Sequence, residues 1–162
     1  MKKIIVIGCP GSGKTTFSKK LAEKTGLALF HLDAIWHRAD RTHISREEFD
    51  ERLGELLALE SWIIDGNYSR TVKRRIEASD TVFLFDLPTE ACLDGALSRL
   101  GKVRCDMPWT DNELDSELKA QIERFATENL PEIYALLDGC KDGKKTVVFK
   151  SREEADEFIS SL

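Results

Sequence analysis

The stretch Gly8-Cys9-Pro10-Gly11-Ser12-Gly13-Lys14-Thr15 has the spacing G-x-x-x-x-G-K-T, the pattern of a loop that wraps phosphate. Each residue type has a physical reason to be there. Gly8, Gly11 and Gly13 admit positive φ and let the backbone approach an anion with no Cβ between them. Successive N–H groups then form an anion-binding nest. The helix expected from about Lys14 turns its positive end toward the same charge. Lys14 can reach the β- and γ-phosphates of ATP, and the Thr15 hydroxyl can ligate Mg²⁺. Pro10, Ser12 and Thr16 complete the nucleotide-contacting set. The competing reading is a chance glycine turn before a helix, which the Lys-Thr pair and the flanking elements disfavour.

Three aspartates follow apolar runs. Asp65 closes Ser61–Asp65 and precedes Gly66; a carboxylate so placed is expected to hold Mg²⁺, through water. The alternative is a turn aspartate. Asp86 closes Thr81–Asp86 and is left out of the metal set, while Asp33 follows Leu27–His31.

These residues need elements to carry them. Lys2–Ile7 is a continuous apolar run, as expected of a strand buried on both faces. Thr15–Lys24 places Phe17 and Leu21 on one helical face, and Gly26 stops it. Further strands are expected over 27–31, 61–65, 81–86 and 145–150. Helices are expected over 45–59, 70–79 and 90–100, with another ended by Gly139 and holding Pro131 in its first turn. Ser45-Arg46-Glu47-Glu48, Thr110-Asp111-Asn112-Glu113 and Ser151-Arg152-Glu153-Glu154 each read as capping boxes that open helices. Residues 34–44 have no clean period and read as loop. Alternating strands and helices imply a parallel sheet covered on both faces, with ligands at the carboxyl ends of its strands. Gly8, Asp33, Asp65 and Asp86 all fall there.

The chain has 162 residues and no repeats, which suggests one domain over 1–162. Its net charge of −5 argues against direct nucleic-acid or membrane-surface binding. Cys9, Cys92, Cys105 and Cys140 form no C-x-x-C pair and are expected to be reduced thiols in a cytoplasmic protein. No apolar stretch reaches transmembrane length. A monomer or weak dimer is expected.

The ordered set Gly8–Thr16, His31-Leu32-Asp33, Trp62–Ser69, Phe85-Asp86-Leu87-Pro88 and Arg104–Pro108 resembles small P-loop kinases of the adenylate-kinase and shikimate-kinase group. It resembles more closely the adenylate-kinase-related bacterial topology modulation proteins (FlaR-like), whose more specific mark is Asp65-Gly66-Asn67-Tyr68. The resemblance implies a three-layer α/β/α P-loop NTPase fold with five parallel strands in the order 2-3-1-4-5. It implies Mg-ATP on the loop, an acceptor-binding segment at about 34–60 and a short lid at about 100–110. It also implies that Asp33 orients or deprotonates an acceptor hydroxyl; the alternative is that Asp33 caps the next segment. Arg99 matches a lid-base arginine of adenylate kinases, and Arg99, Lys102 and Arg104 could neutralise a transferring phosphoryl group; the alternative is a solvated basic turn. Two positions depart from adenylate kinases: Gly95 and Ser69 stand where those enzymes carry arginines that meet adenine and a monophosphate acceptor.

Arg70 and Arg74 share a helix face and either bind an anionic part of the acceptor or are solvated. His31, His37 and His43 show no common ligand spacing, which favours structural or surface roles. Trp36 and Tyr68 are candidates for an acceptor pocket, and Trp62 for the core. The chemistry expected is transfer of the ATP γ-phosphoryl group to a small acceptor, through a hydroxyl. A nucleoside monophosphate kinase and a non-catalytic ATP-binding regulator stay open as alternatives.

Overall fold

A computed structural model describes residues 1–140 and 143–162. Five strands, β1 (Lys3–Gly8), β2 (Leu29–His31), β3 (Trp62–Asp65), β4 (Thr81–Phe85) and β5 (Lys145–Phe149), form one sheet in the order β2-β3-β1-β4-β5. Every pairing is parallel. Among the described residues, eight helices cover the two faces: α1 (Lys14–Thr25), α2 (Leu32–Trp36), α3 (Arg46–Ala58), α4 (Ser69–Ala78), α5 (Thr89–Leu97), α6 (Ser116–Phe125), α7 (Asn129–Gly139) and α8 (Arg152–Ser160). The expected three-layer architecture and strand order are both present.

The central strands are apolar on both faces because helices cover both. Ile4–Ile7, Trp62–Ile64 and Val82–Phe85 are buried throughout. The register fixes the functional rim, since Val6 lies opposite Asp65 and His31 lies opposite Asp65 on the other side. An aromatic cluster anchors α1 on the sheet: the Phe17 ring sits 5.0 Å from Phe83, 5.4 Å from Phe85 and 5.2 Å from Phe149. Such ring pairs stabilise by ~0.5–1.5 kcal/mol each beyond burial, and here they hold the helix that carries Lys14 and Thr15.

Two of the three expected capping boxes supply the serine half of the cap. The Ser45 hydroxyl accepts from the Glu48 N–H at 3.1 Å and that of Ser151 from Glu154 at 3.2 Å. Gly26 ends α1 at φ 71°. The third box does not form. The α6 cap is Asp115, which accepts from the Leu118 N–H. The Asp111 side chain accepts from Trp109 Nε1 at 2.9 Å, and its carbonyl accepts from the Gly101 N–H at 2.7 Å. Residues 98–115 are therefore irregular chain between α5 and α6, and this irregular stretch is longer than the sequence suggests. Residues 34–44 are not wholly loop either. Buried Leu32 and half-buried Trp36, four apart, anchor the single turn α2, which is too short to show a period.

Candidate active site

The loop after β1 takes its shape from backbone. Gly8, Gly11 and Gly13 have φ of 140°, 82° and 109°. A Cβ on Gly11 would stand 2.0 Å from the Cys92 carbonyl oxygen, and one on Gly8 would stand 2.4 Å from that of Phe85. The loop is therefore wedged between β4 and α5. Gly13 gives α1 no side-chain cap, so no side chain answers the first-turn N–H groups that an anion would meet. Arg152, at the start of α8, braces the loop from behind by donating to the carbonyls of Gly11 at 3.0 Å and Ala91 at 2.7 Å. Pro10, Gly11, Gly13, Lys14, Thr15 and Thr16 line a cleft of about 1460 Å³. Gly8 and Ser12 are buried behind it, with no partner for the Ser12 hydroxyl. Lys14 donates to the Cys9 carbonyl at 2.8 Å. Burial pushes its ammonium below the ordinary lysine range, against the opposing pull of Asp65, Cys9 and Asp33.

Thr15 Oγ1 lies 3.0 Å from Asp65 Oδ2, so the two expected metal ligands meet. Asp65 also receives His31 Nδ1 at 3.0 Å. Asp106 stands at the same point, 3.2 Å from Thr15 Oγ1. Arg104 grips Asp106 through Nε at 3.0 Å and Nη2 at 2.6 Å. Burial opposes ionisation of Asp106, but the Arg104 hydrogen bonds and charge override it and hold the carboxyl below its usual range. Two buried carboxylates and a hydroxyl are hard oxygen donors, and this set fits Mg²⁺.

On the other wall the Tyr68 hydroxyl donates to Asp33 Oδ1 at 2.8 Å. Asp33 therefore does not cap the following segment; α2 has His31 at its N-cap and no side-chain cap bond. Burial raises the Asp33 carboxyl above its ordinary range, the Tyr68 bond opposes this, and Asp65 and Asp106 reinforce it. Trp36 and Tyr68 line the cleft, whereas Trp62 is fully buried in the core. Asn67 also lines it, with a buried Oδ1 that has no partner.

From the irregular segment after α5, Arg99 and Arg104 line the cleft and Lys102 is exposed outside it. Arg99 has a buried Nε with no partner. Arg70 and Arg74 do not face the cleft. Arg70 makes a two-pronged bond to Asp50 on α3 at 2.8 and 2.7 Å, and Arg74 donates to the Asp50 carbonyl. Asp86 accepts from the Tyr134 hydroxyl at 2.6 Å and from Lys150, tying β4 to α7 and β5.

Four contributors escaped sequence reasoning. His31 closes β2 beside Asp65. Asp106 arrives from a segment with no secondary structure. Arg152 belongs to a helix at the far end of the chain. Arg75 is fully buried under the β3–α4 turn, donating to the carbonyls of Gly66 at 2.8 Å and Tyr68 at 2.9 Å. Only the patterns His31-Leu32-Asp33 and Arg104-Cys105-Asp106, already notable as family marks, offered a signal.

No family model matches the chain. Over 85 residues it is 35% identical to a cytidylate kinase from Desulfurococcus amylolyticus, a match that takes in 52% of this chain and 43% of that protein. The chain thus spans less than half the length of the curated relative it matches. Shikimate kinase from Bacteroides thetaiotaomicron superposes with a TM-score of 0.65 at 16% identity, over 98% of this chain and 94% of that one. Shikimate kinase from Acinetobacter baumannii, solved in complex with shikimate, gives 0.63 at 16% identity over 99% and 92%. A gluconokinase from Sinorhizobium meliloti 1021 gives 0.57 at 16% identity over 98% and 87%. The fold is that of the P-loop kinases. Near-complete coverage of both chains means that the loop, the sheet and the covering helices all belong to this fold, with no large segment left over on either side.

Proposed function

We propose that this chain is an ATP-dependent phosphotransferase that moves the γ-phosphoryl group to a hydroxyl of a small polar acceptor. One observation carries the reading. The phosphate loop, the Asp33–Tyr68 pair and the lid arginines Arg99 and Arg104 line a single cleft. The structural neighbours, a shikimate kinase and a gluconokinase by name, agree with a hydroxyl acceptor. The closer likeness to topology modulation proteins is part of the same reading, and the name describes no chemistry.

The loop N–H groups and Lys14 bind the triphosphate, and Thr15 with Asp65 would hold Mg²⁺. When bound, that ion neutralises charge on the phosphate oxygens. Arg99 and Arg104 answer the charge spread over the transferring group, and the unpaired Arg99 Nε is a donor free for that use. Asp33 receives the acceptor hydroxyl proton or fixes its direction; its raised pKa suits a proton acceptor. Tyr68 orients Asp33, and Arg75 holds the turn that carries Tyr68. Asn67 offers an unpaired amide for a polar group of the acceptor.

A nucleoside monophosphate acceptor is the second reading, favoured by the stretch shared with a cytidylate kinase. Against it, Asp33 would repel a second anion, Ser69 replaces a clamp arginine, and Arg70 is committed to Asp50. The test is a panel of nucleosides, nucleoside monophosphates, polyols and hydroxy acids, read by conversion of ATP to ADP, with Asp33→Asn alongside. The best acceptor is expected to be a hydroxyl compound, with kcat falling ~10²–10⁴-fold in Asp33→Asn. A monophosphate as best acceptor, or full kcat in the variant, would overturn the proposal. No turnover despite tight ATP binding would favour a regulator.

A further inference from the structure

Two buried carboxylates converge on one hydroxyl. Thr15 Oγ1 is 3.0 Å from Asp65 Oδ2 and 3.2 Å from Asp106 Oδ2, and the two aspartates are 4% and 3% exposed. A threonine hydroxyl has one proton to donate. It can satisfy only one of these oxygens, and the other then faces a lone pair. His31 supplies a donor to Asp65 and Arg104 supplies two to Asp106. Neither removes the conflict at Thr15 itself. A divalent cation does, because it accepts electron pairs from all three oxygens at once.

The donor count suits one particular kind of ion. Among the described residues there is no group of three or more His, Cys, Asp or Glu side chains able to hold a metal. Mg²⁺ bound beside a nucleotide needs no such cage; it takes one or two carboxylates and completes its shell with phosphate oxygens and water. Two carboxylates and one hydroxyl match that requirement. Asp65 ends a central strand, whereas Asp106 comes from the irregular segment between α5 and α6, 91 residues from Thr15. Arg104, two residues away, binds both of its oxygens and aims the carboxylate at Thr15.

We propose that Asp106 is a lid-borne carboxylate that holds the divalent ion of the bound nucleotide, so that the ion fastens the lid segment to the phosphate loop. The inference rests on the nucleotide-binding reading above and adds a third protein group to Thr15 and Asp65. Metal binding and docking of residues 98–115 are then linked, each strengthening the other by the same factor. Arg104 acquires a second task as the positioning residue for Asp106.

The experiment uses Mn²⁺ as the probe, β,γ-methylene ATP as the nucleotide, and loss of the free Mn²⁺ electron paramagnetic resonance signal as the readout. Wild type, Asp106→Asn, Asp106→Glu and Asp65→Asn are compared. In Asp106→Asn, Mn²⁺ affinity in the ternary complex is expected to fall ~10–100-fold, while metal-free nucleotide affinity does not fall, since a carboxylate that repels the triphosphate has been neutralised. Asp106→Glu should recover part of the loss. A lid readout runs in parallel: hydrogen-exchange protection of the amides of residues 98–115 should rise when Mn²⁺ and nucleotide are added to wild type, and not in Asp106→Asn. Equal Mn²⁺ affinity in wild type and a folded Asp106→Asn overturns this inference alone. If wild type binds neither nucleotide nor Mn²⁺, the phosphotransferase reading falls with it. Should Asp106→Asn not fold, Asp106→Glu decides by the same measure, since full wild-type affinity there with an undocked lid also counts against it.

Discussion

The phosphate loop is held by backbone and the lid by side chains. In the loop, three glycines take positive φ, and two of them, Gly8 and Gly11, press against β4 and α5, where a single methyl group would collide. In the lid, Arg104, Asp106, Trp109 and Asp111 hold an irregular segment through side-chain hydrogen bonds and through the Arg41 guanidinium, 5.5 Å from the Trp109 ring. A backbone-shaped site is rigid before its ligand arrives. A side-chain latch can open and re-form, as a cover over a reacting group must. Thr15 belongs to both, since it sits on the rigid helix and touches the lid's carboxylate.

Substitutions can break this contrast, beginning with the largest effect. Lys14→Ala should lower turnover by on the order of 10³-fold, with thermal unfolding near that of wild type because the loop does not depend on that side chain for its shape. Unchanged ATP turnover by ADP release would remove Lys14 from the site. Gly11→Ala should destabilise by at least ~3 kcal/mol, read in urea unfolding, since the new Cβ meets the Cys92 carbonyl. A mild effect there would mean that α5 yields easily and the loop is not wedged. Arg104→Ala tests the other side. It should lower kcat ~10²-fold with little change in KM for ATP, and it should also lower stability, because Asp106, buried beside Thr15, loses its ion-pair partner. A change in KM alone would make Arg104 a ground-state contact.

Asp33 sharpens the comparison through pH. Its folded pKa is raised, so its contribution to stability is fully present below the ordinary value of 3.8 and is lost as pH rises through the folded pKa. Above its folded pKa the ionised group, largely withdrawn from water, is a net cost to stability. Asp33→Asn should therefore raise the melting temperature while lowering kcat. In wild type, kcat/KM should begin to fall on the acid side at a higher pH than an ordinary carboxylate would give. The smallest effect is expected at Arg70→Ala, about 0.5 kcal/mol or less, with no change in KM for any acceptor, since that side chain pairs with exposed Asp50. A rise in acceptor KM would return Arg70 to the site.

The loop was legible in the sequence because its shape depends on residues within eight positions of one another. The sheet order was legible through resemblance, and the burial of β1, β3 and β4 through their continuous apolar runs. The lid was not, for physical reasons. The Thr110 capping box satisfies the local pattern, yet Asp111 spends its side chain on Trp109 and its carbonyl on Gly101, and the helix starts five residues later. His31 and Asp106 reach Thr15 and Asp65 from 34 and 91 residues away, distances over which spacing carries no information. Arg75 reads as one more cation of a basic helix; its burial follows from the carbonyls of Gly66 and Tyr68 facing inward.

Gly95 on α5 lies against Gly11, where a Cβ on Gly95 would stand 2.0 Å from the Gly11 carbonyl oxygen. The two positions constrain each other across separate elements, which makes them an epistatic pair. An arginine at 95, as adenylate kinases carry, cannot be acquired here by a single replacement. It first requires α5 to slide away from the loop, and such a slide loosens the wedge that shapes Gly11. Evolution from this chain toward that kind of base clamp, or an engineer attempting it, must begin in the packing of α5 and only afterwards reach the nucleotide.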